Sequence, residues 1–168
     1  MAEADYPADT EGLTDAFKRA MRRLASTVSI ITCGDRHAPF GMTATAVTSL
    51  STNPPSLLTC VNQSASIHDA LGIGSSFCVN LLGGDHGELA AIFGGQQALE
   101  ERFKFGSWDL QGLPRLIGAQ ASVECSVDRV VAYHSHSIII GRVRAVHLGD
   151  CISPLIYGDG RLHSITEL

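Results

Sequence analysis

Long apolar runs are missing from this sequence. No stretch reaches the roughly 18 residues of a membrane span, so no membrane partner is expected. The opening residues, "MAEADYPADTEGL", are acidic and polar and do not read as a secretory signal. Charge is scarce as well: Asp, Glu, Lys and Arg make up 17% of the chain, with a formal net charge of −5. That balance gives no electrostatic case for nucleic-acid binding. The one basic cluster, Lys18, Arg19, Arg22 and Arg23, falls on a predicted helix and reads as a solvated face. No G-x-S-x-G, H-E-x-x-H or Walker loop occurs. Gly72 and Gly74 do not sit between a strand and a helix, so they read as a turn. No C-x-x-C occurs among the five cysteines, Cys33, Cys60, Cys78, Cys125 and Cys151. Most lie in apolar, strand-like runs, as small core residues of a reducing, cytoplasmic compartment do.

What is present is a chain of 168 residues, 45% of them hydrophobic. That is enough for one domain with one proper core. So much apolar surface with so little charge hints at a face buried against a partner. Residues 1–12 read as a flexible arm, and 13–168 as a single domain. Leu13, Phe17, Ala20, Met21 and Leu24 recur at helical spacing, predicting a helix over 13–25. "TVSIITC" (27–33) is a predicted strand with Val28 and Ile30 on one face and Ser29 and Ile31 on the other. "SLLTCVN" (56–62) and "SFCVNLL" (76–82) are predicted strands, buried on both faces. Ser66 with Asp69 resembles a capping box and predicts a short helix ending at Gly72. Asp85 with Glu88 repeats the signal, and Leu89, Ile92 and Phe93 form the apolar side of that helix. One or two further turns are predicted over 96–103. From Gln120 the alternation is clean, with Ala121, Val123, Cys125 and Val127 on one face. Residues 136–148 read as a long strand, and "PLIYGDGRLHSI" as two short ones around Gly158-Asp159-Gly160. Six or more mostly antiparallel strands with short helices between them predict a mainly β, barrel-like fold rather than an alternating parallel sheet.

"GMTATAVTSLSTNPP" (41–55) stands apart. Its first ten residues are mostly small or β-branched and all uncharged, with hydroxyls of Thr43, Thr45, Thr48 and Ser49 falling on both faces. It reads as one strand ended by Pro. A strand this slim lets a flat ligand approach the backbone, where N–H groups can bond ring heteroatoms. Just beyond it, "TCVNQSASIH" delivers Asn62, Gln63, Ser64 and Ser66 to a predicted helix N-terminus, a setting that suits phosphate. His134 and His136 lie two apart on a strand. They read as a metal pair lacking a third ligand, as surface residues, or as a cleft histidine donating to a substrate.

These residues resemble the short-chain flavin reductases, the reductase components of two-component flavin-dependent monooxygenases. The segments that carry the likeness are "FKRAMRRLASTVSIIT", "GMTATAVTSLSTNPPSLLTCVN", "FCVNLL", "LAAIFGG", "ERF", "SHSIIIGRV" and "PLIYGDGRLH", in order from about Phe17 to Ile165. The resemblance implies an FMN-binding split β-barrel with short flanking helices, working as a homodimer. It implies FMN or FAD as flavin, NADH or NADPH as hydride donor, and a monooxygenase partner that receives reduced flavin. Under it, Thr43, Ala44, Thr45, Ala46, Val47 and Thr48 line the isoalloxazine ring. Cys60, Val61, Asn62, Gln63, Ser64 and Ser66 hold the ribityl chain and phosphate. Phe93 lies near the flavin, His136 faces the nicotinamide as the catalytic residue, and Arg161 and Leu162 help cover the pyridine nucleotide. No metal is implied. The chain departs from the family pattern in three places. Ser135 stands where many members have Asp or Thr. Gln63 stands where some have Arg, which leaves phosphate to Ser64, Ser66 and the helix end. Leu162 replaces the usual aromatic. Two rival readings are a split barrel that keeps a tightly bound flavin or heme as an electron-transfer or binding module, and a metal-dependent β-barrel enzyme using His134 and His136.

Overall fold

A computed structural model describes residues 11–165. Most of the expected N-terminal arm, residues 1–10, lies outside them. Helix α1 spans Glu11–Met21 and takes in the arm's last two residues. It ends four residues before the predicted stop. Arg23 and Leu24 bond back three residues, to Ala20 and Met21, which tightens the last turn. The strands are β1 (Ser26–Thr27), β2 (Ser29–Cys33), β3 (Phe40–Ala44), β4 (Val47–Thr52), β5 (Pro55–Asn62), β6 (Ser76–Leu81), β7 (Trp108–Asp109), β8 (Arg115–Leu116), β9 (Ala121–Tyr133), β10 (His136–Leu148), β11 (Leu155–Gly158) and β12 (Arg161–Ser164). A second short helix, α2, spans Gly87–Ala91. Only one 3₁₀ turn, His68–Ala70, forms where a helix from Ser66 was predicted.

Seven strands form one antiparallel sheet in the order β3-β2-β6-β9-β10-β5-β4. Its two edges, β3 and β4, are consecutive in the chain and joined by Thr45 and Ala46 alone. Flat, the edges of seven strands would stand about 29 Å apart. The link from Ala44 to Val47 spans at most about 11 Å. The sheet therefore curls until its edges meet, as a split barrel. This is also why residues 41–52 are two strands rather than the single predicted one. The chain leaves one sheet edge at Ala44 and joins the other at Val47.

Alternation fills the barrel. Ile31, Cys33, Ala44, Leu57, Val61, Phe77, Val79, Cys125, Val127 and Ile139 point inward and are buried. The strand β5 alternates buried and half-buried residues, so it is covered on one face and not on both as its composition predicted. The long strands β9 and β10 shift register near Gly141 and again near Arg144, and such bulges increase the bend of a strand. Gly141 is required at the bend, because a side chain there would run into the ring of Phe77. A second core lies outside the barrel. Val28, just before β2, and Ile30 on its outer face pack with Leu89, Ala90, Ile92, Phe93, Leu116 and Leu155. Thus β2 is buried on both faces. Phe93, Phe103 and Trp108 close this cluster with ring centroids 4.9–5.2 Å apart.

One buried polar network ties the 107–119 loop to the barrel. Asn80 Nδ2 donates to Ile30 O at 3.1 Å and to Thr32 Oγ1 at 3.3 Å. Its Oδ1 accepts from Leu116 N at 2.9 Å and Ser122 Oγ at 3.0 Å. Thr32 Oγ1 in turn donates to Pro114 O. Asn80→Ala leaves several buried groups unpaired and should cost about 2–4 kcal/mol. Urea unfolding measures this, and a loss under about 1 kcal/mol would contradict a satisfied network.

The cysteines divide by burial. Cys33, Cys78 and Cys125 are buried, Cys60 is half-buried and Cys151 is exposed, all as free thiols. Burial pushes Cys33 from 9.0 to about 11, and Cys78 and Cys125 to about 12. At pH 8 these three should stay protonated and unreactive toward a disulfide reagent, with Cys151 fast and Cys60 slower. All five should react once the chain is unfolded. Between pH 9 and 11 the native state holds thiol protons that the unfolded chain has released, so stability should fall as pH rises through that window.

Candidate functional site

The site grows out of the seam where the sheet edges meet. Among the described residues strand β3 pairs only with β2, and β4 only with β5, so alternate backbone N–H and C=O groups of both point out of the sheet. Arg102 Nη1 donates to Gly41 O at 2.9 Å near the start of β3. At the crossing, Ala46 O accepts from Cys60 N at 3.1 Å. Thr45, Ala46 and Thr48 are exposed.

Register then decides which expected site residues share a face. Thr48 lies opposite Leu58, Cys60 opposite Ile138, and Asn62 opposite His136, which in turn pairs with Tyr133. These side chains share the outer face of the barrel, and Ala46 sits beside Cys60. Ala44, Val47 and Val61 point the other way and pack in the barrel core. They can offer backbone groups only. Thr43 faces outward on the far side of the seam, where its hydroxyl donates to Ala90 O at 2.6 Å.

The 62–68 segment differs from its sequence reading. Without a helix there is no macrodipole to draw an anion, and Ser66 caps nothing. Asn62 Oδ1 takes both donors of Ser64, N at 2.9 Å and Oγ at 2.8 Å. Ala65 N bonds Asn62 O, and Gln63 N bonds Ser135 O. The turn is an Asx-type turn closed on itself. Its exposed side-chain hydroxyls, on Ser64 and Ser66, are what a phosphate could meet. His136 is exposed at the start of β10, with Nδ1 2.9 Å from Ser135 Oγ. His134 lies in the hairpin turn at φ +47°, its ring edge-on to Tyr133 at 4.6 Å. Among the described residues no group of three His, Cys, Asp or Glu side chains is placed to hold a metal ion.

Beyond the seam a cavity of about 400 Å³ is lined by Thr43, Thr45, Ala91, Tyr157, Gly160 and Leu162, with Val28, Ala44 and Ala90 at its base. Leu162 reaches it from the β11–β12 hairpin, whose turn residues Asp159 (φ 48°) and Gly160 (φ 79°) form the Asp-Gly turn that such hairpins favour. Arg161 is exposed beside it. The hairpin turn is tied to the end of α1: Asp159 N donates to Arg22 O at 2.8 Å, and the Arg22 guanidinium lies 3.6 Å from the Asp159 carboxylate. Phe93, expected beside the flavin, is 1% exposed and wedged under Gly41 in the outer core. Its place is to prop β3 from behind. Sequence reasoning did not find Ala91, Tyr157 or Gly160 as cavity residues. The only available signal was their position in segments that already matched.

A flat, partly polar ring suits this surface. The floor at Ala46 and Cys60 is built from small side chains, open edge groups flank it, and hydroxyls stand at one end. The fold is a mainly β split barrel of the kind seen in solved flavin reductases. The chain belongs to that family: the flavin reductase like domain matches residues 21–166, and the protein is an oxidoreductase. It is 36% identical over 154 residues to the FMN reductase (NADH) RutF of Cronobacter sakazakii, covering 90% of this chain and 93% of that one. Two solved structures are similar. The styrene monooxygenase flavin reductase of Pseudomonas putida S12 matches at TM-score 0.81 and 28% identity, over 90% of this chain and 98% of that one. The NADH:FAD oxidoreductase SgcE6 of Streptomyces globisporus C-1027, solved with NAD and FAD fragments, matches at 0.83 and 27%, over 98% of each.

A larger side chain at the seam tests the floor. Ala46→Leu should abolish flavin binding, read by quenching of flavin fluorescence. The exposed position should leave melting within a few degrees of the parent. Unchanged flavin affinity would remove the seam from the site.

Proposed function

We propose that this protein transfers hydride from NADH to FMN and releases the reduced flavin to a separate flavin-dependent monooxygenase. The observation that carries this reading is the exposed seam of small residues, Thr45, Ala46 and Thr48, between two open sheet edges. A floor so open favours a flavin that comes and goes. The named activities of the relatives, FMN with NADH among them, support the same choice, with FAD and NADPH as the alternatives.

The hydride chemistry belongs to nicotinamide and flavin when both are bound. The chain has three tasks. It must hold the two rings face to face, which converts an encounter into an oriented step. It must supply donors where negative charge grows, a task for the alternate N–H groups of 43–48 that the ladders leave unpaired. It must also anchor the polar tail, a task for Ser64 and Ser66 with Asn62 bracing the turn. His136, with Nδ1 engaged by Ser135, keeps Nε2 for the nicotinamide. Arg161 and Leu162 wall the far side from the β11–β12 hairpin. No proton needs to be moved by a side chain.

We read the working unit as a cytoplasmic homodimer. Half-buried Leu58, Ile138 and Ile140 share the outer face with exposed Val131 and Tyr133, an apolar sheet surface of the kind a second copy covers. The free thiols support a reducing compartment.

Stopped-flow oxidation of NADH and NADPH, with FMN, FAD and riboflavin in turn, tests the reading. NADH with FMN should turn over fastest, and protein freed of small molecules should be colourless. A protein that stays yellow after extensive dialysis would favour a tightly bound flavin instead. His136→Ala should lower kcat/KM for NADH about tenfold or more, the loss of one well-placed contact to substrate. Unchanged reductive kinetics would take His136 out of the mechanism.

A further inference from the structure

Three consecutive residues at the start of β10 are held by one short segment. Gln63 N donates to Ser135 O at 2.9 Å. Gln63 Nε2 donates to His136 O at 3.2 Å. His68 Nε2 meets the buried hydroxyl of Ser137 at 2.9 Å. One donor of the Gln63 amide is thus engaged by the backbone of His136, which draws the side chain toward β10. His68 is itself mostly covered, with 23% of its side chain exposed.

Such a clamp answers a local weakness. His136 lies exposed at the end of a hairpin, beside a turn that needs a positive φ at His134. Hairpin ends and single 3₁₀ turns are the parts of a fold that open most readily. The 63–68 segment has no helix of its own to stiffen it. Bonded to each other, the two segments fix three successive positions, and the Ser135 contact to Nδ1 then sets the ring.

We propose that Gln63 and His68 are positioning residues that hold His136 from two sides and thereby set how it meets the nicotinamide. This rests on the reading of His136 given above. It reassigns Gln63 from the flavin phosphate to the hydride-donor side of the site.

Gln63→Met keeps the length of the side chain and removes its donor. It should lower kcat/KM for NADH about fivefold to tenfold, the scale of one hydrogen bond, while the FMN Kd by fluorescence quenching stays within about twofold. In a His136→Ala background the same change should have no further effect, because the two residues act as one unit. His68→Leu should resemble Gln63→Met, and His68→Gln, which can still bond Ser137, should restore most of the loss. Weakened FMN binding with an unchanged NADH step would return Gln63 to the phosphate and overturn the proposal. So would additive effects in the double variant. The ¹⁵N signals of the His136 ring read the clamp directly. A ring freed in Gln63→Met supports the clamp even if His136→Ala turned out to be kinetically silent, which would count against the reading of His136 alone. A ring unchanged in Gln63→Met overturns the clamp whatever the kinetics.

Discussion

Two residues, Thr45 and Ala46, join opposite edges of a seven-stranded sheet, and most of the structure follows from that. The link is too short for any flat arrangement. Closure forces alternate residues of every strand inward, where Phe77, Ile139 and Val127 fill the barrel. It forces a bend in the longest strands, met by Gly141 and the register shifts of β9 against β10. The edges meet at the crossing without pairing to each other, so the seam keeps open backbone groups on a surface otherwise spent on ladders. On the proposed reading, the ligand uses what barrel closure leaves over.

The seam keeps its shape because both sides are propped. From within, Ala44 and Val47 anchor the ends of the link in the barrel core. From outside, Phe93 packs against Gly41, Thr43 bonds Ala90, and Arg102 caps Gly41. The outer core is held in turn by the Asn80 network beneath the 107–119 loop. A side chain deep in the fold therefore helps to fix the backbone of β3. Phe93, 1% exposed, belongs to this support, and on the proposed reading it acts on a flavin through the backbone of β3.

Much of this was legible in the chain, for local reasons. Strict alternation located β9, the Asp159-Gly160 pair fixed the closing hairpin, and apolar β-branched runs located β2 and β6. The faces assigned to Val28, Ile30 and Ile31 are those of the structure. The break at Thr45 was not legible, because nothing in "TATAV" differs chemically from a continuous strand. The chain parts there because two distant strands, β2 and β5, compete for it. The helix expected from Ser66 failed for a nearer reason. Asn62 closes a turn over Ser64 and Ala65 just ahead of it, and His68 N bonds Ala65 O, so the chain enters a single 3₁₀ turn with Ser66 capping nothing. The outer face uniting Asn62 with His136 depends on register between strands over seventy residues apart, which no local pattern encodes.

Open edges are a hazard as well as a resource, since unpaired strand edges invite pairing with other chains. The common protections are charge, proline or a covering element, and β3 and β4 carry no charged side chain. Prolines stand only outside the two strands, at 39 before β3 and at 54 and 55 after β4. What guards the seam instead is geometry. The crossing turns each edge against the other within two residues, so no long flat edge is offered to a partner strand. Lys or Glu in this stretch would guard the edge too, but would raise a side chain over the floor beside Ala46 and Cys60. On the proposed reading, a flat ring must lie on that floor and leave again after reduction. The small, uncharged residues of 41–52 satisfy both demands: the curl of the barrel limits strand pairing, and the absence of bulk keeps the backbone within reach of a flavin.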